Sequence, residues 1–220
     1  MKIATPLLLI CLTLVTLAQT PGNVLGQHAF TQVERIGEAN ARSFYVFTTG
    51  GRTYTVRHDG RGEITGPIFI KLRNFFLKMD GAARLERLYS ADAGTDLLLT
   101  YEVANGRSGW GYIARFDPSV PVFRWFAPIP SMNVGPGLIE GNYVYVTGQD
   151  FLAKLDLQTG KYVWQQTDLT KEYGSVFAQF ALPEINGAAI VFPEAGAKER
   201  TLEVDKVTGR ILKGPASLLR

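Results

Sequence analysis

Apolar and polar side chains alternate in short runs along much of this chain. In residues 142–148 (NYVYVTG), Tyr143, Tyr145 and Thr147 alternate with Val144 and Val146, and residues 188–192 (AAIVF) hold the equivalent place further on. Residues 97–103 (LLLTYEV) and 110–116 (WGYIARF) form a similar pair earlier in the chain. Short runs of period two, rich in β-branched and aromatic residues, predict strands. Nearer the N-terminus, residues 43–48 and 53–57 flank Thr49-Gly50-Gly51-Arg52 as a hairpin, and His58-Asp59-Gly60 marks another turn. Residues 68–79 (IFIKLRNFFLKM) fit two periods. Ile70 and Leu72 against Lys71 and Arg73 alternate as in a strand, whereas Phe69, Leu72, Phe76 and Met79 fit one face of a basic amphipathic helix that could touch a membrane. Buried strands with a turn near Asn74 are the preferred reading.

The hairpins repeat. Residues 152–165 read LAKLDLQTGKYVWQ: a strand pattern through Leu155 and Leu157, a turn at Thr159-Gly160 with glycine free to take positive φ, and a return strand at Val163-Trp164. Residues 204–213 (VDKVTGRILK) align with it, so that Asp205, Thr208, Gly209 and Arg210 match Asp156, Thr159, Gly160 and Lys161. A degenerate copy, FDPSVPVFRW, sets Asp117 and Trp125 at the spacing of Asp156 and Trp164, with Val120-Pro121 in place of Thr-Gly. A weaker one, MDGAARLERL, offers Asp80 with Leu88 at the tryptophan position. The aspartates Asp80, Asp117, Asp156 and Asp205 are 37, 39 and 49 residues apart, which brackets the ~40–50 residues of a four-stranded propeller blade.

The D-x-x-T-G-K-x-x-W segment at Asp156 to Trp164 resembles the repeat of quinoprotein-like (PQQ-like) β-propellers, found in quinone-cofactor dehydrogenases and in non-catalytic relatives such as the bacterial outer-membrane assembly lipoprotein. The resemblance covers roughly residues 75–220. It implies that the Asp and Thr side chains tie the turn and that the Trp stacks against the neighbouring blade. These roles fall in full on Asp156, Thr159, Gly160, Lys161 and Trp164, and in part on Asp205, Thr208, Gly209, Asp117 and Trp125. Lys154 departs from the repeat, which usually has Ala there. At ~42 residues per blade, about 200 mature residues allow about five blades at most, fewer than the seven or eight common in the family. The expected fold is all-β: a β-propeller-like array of about four to five four-stranded antiparallel blades, in a small or incomplete ring. Residues 43–220 would form this domain, preceded by a mobile segment at 19–42.

Composition agrees with a packed domain. Of 220 residues, 46% are hydrophobic and 20% charged, enough apolar surface to offset the conformational entropy of folding. The net charge of +3 comes from scattered residues, which argues against a nucleic-acid surface, because phosphate binding needs clustered cations. Met1-Lys2, an apolar stretch at 7–17 and the small-residue exit Thr16-Leu17-Ala18 compose a secretory signal, expected to be cleaved after Ala18. At ~1.5 Å per residue the apolar stretch covers about 17 Å, short of a ~30 Å hydrocarbon core. The sole cysteine, Cys11, lies inside this signal, so no disulfide or Cys-ligated metal is expected in the mature chain; no other apolar stretch is long enough to span a bilayer, so no transmembrane helix is expected there either, and the chain is expected to be secreted or periplasmic.

Candidate chemistry is sparse. Quinone-dependent dehydrogenation needs a full ring around the cofactor, a calcium ion and a catalytic carboxylate, and no calcium-like oxygen cluster stands out. His28 and His58 are the only histidines; a zinc site requires three or four ligands, and His58 reads as a turn residue. Gly106-Arg107-Ser108-Gly109 lacks the closing glycine of a nucleophile elbow, since residue 110 is Trp110. Gly135-Pro136-Gly137 lacks the Lys and Ser/Thr of a phosphate loop. Glu34, Glu38, Glu63 and Glu102 have no readable mutual distances. Trp125 and Trp164 are accounted for by blade packing, leaving Trp110, between Gly109 and Gly111, as the candidate recognition residue. No catalytic, cofactor-binding or metal-binding residue is nominated. Two readings follow: a non-catalytic envelope module binding a protein partner or itself through open strand edges, or a small secreted propeller that binds carbohydrate or another ligand, including a reduced quinoprotein-like enzyme.

Overall fold

The computed structural model describes residues 25–36, 44–49, 51–57, 84–104, 109–120, 122–173, 177 and 179–215. The signal (1–18), Asp80, His58, the segment 68–79 and the Gly106-Arg107-Ser108 loop lie outside the described residues. The chain is all-β. Its strands are β1 (Leu25–Ala29), β2 (Thr31–Gln32), β3 (Arg35–Ile36), β4 (Phe44–Thr49), β5 (Arg52–Arg57), β6 (Arg84–Ala93), β7 (Asp96–Ala104), β8 (Gly109–Asp117), β9 (Val122–Ile129), β10 (Leu138–Gly141), β11 (Tyr143–Gly148), β12 (Phe151–Asp156), β13 (Tyr162–Gln166), β14 (Glu184–Asn186), β15 (Ala189–Glu194), β16 (Ala197–Asp205) and β17 (Ile211–Lys213). A single turn of helix, α1 (Leu169–Tyr173), separates β13 from β14, and no helix among the described residues is long and apolar enough to cross a membrane.

The strands form four antiparallel sheets, none closed on itself: sheet I is β3-β4-β5, sheet II β2-β6-β7-β8-β9, sheet III β1-β10-β11-β12-β13 and sheet IV β14-β15-β16-β17. Consecutive sheets share cores. On β7 every residue is buried, and alternate side chains go to opposite neighbours. Leu97, Leu99, Tyr101 and Val103 join Tyr45 and Tyr54 of sheet I, whereas Leu98 joins Ile139 and Val144 of sheet III. Burial on both faces is why residues 97–99 read as an unbroken leucine run. Sheet III repeats the plan: Val144, Val146 and Ala153 face sheet II, while Tyr145 and Leu152 pack with Ile190, Phe192, Leu202 and Val204 of sheet IV.

Sheet IV is the last in chain order among the described residues. Its far face carries the cross-strand row Glu184, Val191, Glu203, Lys213 and the row Asn186, Ala189, Asp205. This outer surface is largely polar.

Residues 25–36 lie in the segment expected to be mobile, and they form three short strands. These run past the other three sheets in reverse order. His28 opposes Ile139 in β10, Thr31 opposes Ser90 in β6, and Arg35 opposes Tyr45 in β4. Between the strands, the Phe30 N–H donates to Gly137 O at 3.0 Å and the Val33 N–H to Leu88 O at 2.9 Å. Phe30 is buried in the core between sheets II and III, and Val33 in the core between I and II. The backbone thus covers three sheet edges and inserts one apolar side chain at each of two junctions.

The weakest repeat copy is not equivalent to the others. Leu88 lies in β6, opposite Tyr101, whereas Trp125 and Trp164 lie in the last strands of their sheets. An apolar residue eight positions after an aspartate arises readily in any alternating strand, and here it marks a different strand.

If the Phe30 insertion holds sheets II and III together, Phe30→Ala is expected to lower unfolding free energy by about 3 kcal/mol or more. The exposed neighbour Gln32→Ala should cost less than about 0.5 kcal/mol. Urea unfolding of the two variants measures the contrast; equal, small losses would show that the crossing is not part of the core.

Candidate functional site: the docking turns and the open end

The repeated turn is tied by its aspartate. Asp156 Oδ1 accepts the Gln158 N–H (3.1 Å), the Thr159 N–H (2.8 Å) and the Thr159 hydroxyl (2.8 Å). Asp205 Oδ1 does the same for the Val207 N–H (3.0 Å), the Thr208 N–H (2.7 Å) and the Thr208 hydroxyl (2.8 Å). Gly160 and Gly209 take φ of 68° and 75°, and each N–H returns to its aspartate's carbonyl at 2.9 Å. In the degenerate copy, Ser119 replaces the threonine: its hydroxyl (2.6 Å) and N–H (2.9 Å) both donate to Asp117 Oδ1, while Arg124 holds Oδ2 at 2.6 Å. Such bonds favour the ionised form. The Ser119 hydroxyl and N–H hold Asp117 below the usual carboxylate range, and the Thr208 N–H and hydroxyl do so for Asp205.

The Asp156 and Asp205 turns each receive the sheet before them. The Trp125 indole N–H donates to Leu157 O at 3.0 Å, and the Trp164 N–H to Lys206 O at 3.1 Å. Leu157 and Lys206 are the residues immediately after Asp156 and Asp205. A side chain on Gly160 would meet the Trp125 ring at 2.5 Å, and one on Gly209 would meet Trp164 at 2.6 Å. Glycine therefore serves twice at these positions: it permits positive φ and leaves the indole its seat.

A cation accompanies each tryptophan. Arg115 is cross-strand from Trp125 and donates through Nη1 to the same Leu157 carbonyl at 2.9 Å; Lys154 is cross-strand from Trp164 and donates to Lys206 O at 2.7 Å. Lys154 is 6% exposed, with Nζ 3.8 Å from the Tyr143 ring centroid. Burial pulls its pKa below the ordinary lysine value, against the opposing pull of Glu140. Arg115 and Arg124 both reach Asp96 Oδ2, at 2.6 and 2.7 Å, which braces the strands behind the first dock. Arg115 by itself carries no mark of a docking residue in the sequence, and Lys154 stands out there only as a departure from the repeat. Their shared place two residues before Asp117 and Asp156 was the available signal. In sheet IV the corresponding cross-strand pair is Glu203 and Lys213. There a glutamate takes the place of the cation and a lysine the place of the indole.

The structure brings Trp125 to Gly160 and Trp164 to Gly209. It sets Trp110 apart, 38% exposed at the opposite end of β8 from Arg115. Of the acids considered for catalysis, Glu102 is buried and its pKa is raised by that burial; it accepts the Val134 N–H at 3.2 Å and lies 3.8 Å from Arg87. Those contacts join β7 to the approach to β10. Among the described residues, no group of three or more His, Cys, Asp or Glu could hold a metal ion. At the far end of the array, a cavity of about 420 Å³ is walled by Leu182, Val191 and Pro193, with Glu184 and Glu194 on it. Compared with known proteins, the chain matches no family model and no curated protein sequence.

Two glycines separate docking from backbone strain. Gly209 and Gly196 both have positive φ, but a side chain at Gly196 would meet nothing within 4 Å. Gly196→Ala is expected to cost about 1 kcal/mol from φ alone. Gly209→Ala should cost about 1–3 kcal/mol more, because the indole must move. Chemical denaturation reads the difference, and equal losses would mean that Trp164 is not seated there.

Proposed function

We propose that this chain is a non-catalytic, extracytoplasmic binding module whose four sheets stack as the blades of a short, propeller-like arc. The observation that carries the reading is the Trp-and-cation dock, made once between sheets II and III, again between III and IV, and replaced by Glu203 and Lys213 at the end. A series that stops in this way suits an open arc with a terminal surface. It also agrees with the resemblance of the Asp156–Trp164 segment to quinoprotein-like repeats. The N-terminal signal pattern supports an address outside the cytoplasm. The buried carboxylates are spent on structural ties, as Asp96 on its two arginines and Glu102 on a backbone N–H, which leaves the surface to do the work of the molecule. Its partner is another protein, met at the open end where the strand edges and the cavity beside sheet IV lie together.

Three readouts test this. Residues 1–24, fused ahead of a reporter active only outside the cytoplasm, are expected to export it. Cross-linking in intact cells should give a discrete adduct with another protein. The melting temperature of the mature chain should not move with calcium, pyrroloquinoline quinone or oligosaccharides, since a ligand that binds only the folded state must raise it. Retention of the reporter in the cytoplasm would remove the compartment from the reading. A melting point raised by one of those ligands would replace it with a ligand-binding propeller.

A further inference from the structure

The first strands of sheets II and III, β6 and β10, carry β2 and β1 on their outer sides. The first strand of sheet IV, β14, carries none among the described residues. Yet sheet IV is built locally like sheet III. Gly141 and Gly187 both have φ of 58° and both lead the first strand into the second. Ile139 opposes Val144, and Ile185 opposes Ile190. Just upstream, Gly135 and Ala181 donate their N–H groups to Thr147 O and Pro193 O, at 3.2 and 2.8 Å. Ile185 therefore stands where Ile139 stands in sheet III, and Ile139 is the residue that opposes His28 of β1.

Backbone geometry sets what this edge offers. The two-residue link Gly187-Ala188 closes on Asn186 and Ala189 as a hydrogen-bonded pair. Antiparallel pairs alternate, so the next pair, Ile185 with Ile190, is not hydrogen-bonded. The N–H and C=O of Ile185 consequently point away from β15, toward the open side. Side chains alternate as well. A strand added antiparallel here would set the residue opposite Ile185 toward sheet III, and the residue opposite Glu184 toward the far face and its cavity. That face carries Glu184, Glu203 and Asp205 against Lys213. Leu182, 38% exposed, and Val191 offer apolar surface for a long aliphatic stem beside Glu184.

We infer that β14 is a docking edge for an extended segment of a partner protein, which adds antiparallel to Ile185 as β1 adds to Ile139, with an apolar residue opposite Ile185 and a Lys or Arg opposite Glu184. This rests on the reading of the chain as a protein-binding module. Main-chain hydrogen bonds supply the attachment, and the two side-chain positions supply the selection. Opposite charges facing each other across strands are favourable, whereas a second copy of this chain, added antiparallel with its Ile185 opposite Ile185, would set Asn186 opposite Glu184 and leave that charge without a partner. The short edge, bounded by Pro183, limits pairing with unselected strands.

The probe is a synthetic, end-blocked peptide centred on Gln-Ile-Lys, added to the isotope-labelled mature chain. Amide exchange at Ile185 is expected to slow by about tenfold or more at saturation, and methylating the peptide nitrogen of its Ile should abolish the effect. Glu184→Lys should weaken binding by about tenfold, with recovery when the peptide's Lys is replaced by Glu. Unchanged exchange at Ile185, or equal protection by the methylated peptide, overturns the inference. If a protein partner still cross-links in cells while Ile185 remains unprotected, the docking edge is wrong and the binding-module reading stands.

Discussion

The turns that close the last hairpins of sheets III and IV contain a glycine whose missing side chain is the seat for an indole from the sheet before. That seat would be empty without the aspartate, because three hydrogen bonds to one carboxylate oxygen hold the turn in the shape that aims its carbonyl at the incoming indole N–H. The interaction is local in its geometry and long-range in its effect. A buried indole removes a large apolar area from water while its single donor is satisfied, and the accompanying Arg115 or Lys154 fills the remaining capacity of the same carbonyl. Two sheets are fixed in angle and in height by one turn, and the cores between them can then interdigitate.

The second constraint is the N-terminal crossing. Sheets joined only in series share a core with at most two neighbours, and their first strands would present bare edges. Residues 25–36 cover those edges in sheets II and III, complete sheet I with β3, and place Phe30 and Val33 in the junctions. The two devices act on different sides of the sheets: indole docking joins the last strands to the next turn, and the crossing joins the first strands. Among the described residues, sheet IV has the docking turn of its predecessor's tryptophan but no crossing strand on β14 and no tryptophan of its own. Structure and chemistry therefore change together at that end of the molecule.

Much of this was legible in the sequence where side chains carry the information. The hairpin around Thr159-Gly160, its copy at Thr208-Gly209, and the spacing of Asp117 to Trp125 reflect residues whose side chains form the turn and the dock. The strands at 97–103, 110–116 and 142–148 were legible because they are rich in apolar, β-branched and aromatic residues, which burial against two cores requires. The crossing was not legible, since edge pairing uses backbone groups that every residue has, and its only side-chain marks are Phe30 and Val33 three residues apart in a polar stretch. Leu88 misled because strand periodicity repeats an apolar residue at many spacings. Lys154 stood out because the repeat usually has Ala there; the partners that let its ammonium be buried, a carbonyl from the next sheet and the Tyr143 ring, are not its neighbours in sequence.

Seating of each indole on the glycine of the following sheet can be observed directly by proton NMR, because an aromatic ring displaces protons over its face well upfield. The account predicts that the Hα resonances of Gly160 and Gly209 are both displaced, that Trp125→Leu restores Gly160 alone, and that Trp164→Leu restores Gly209 alone. Ordinary glycine positions for both in the unmodified chain, or no response of either to its own tryptophan, would contradict it.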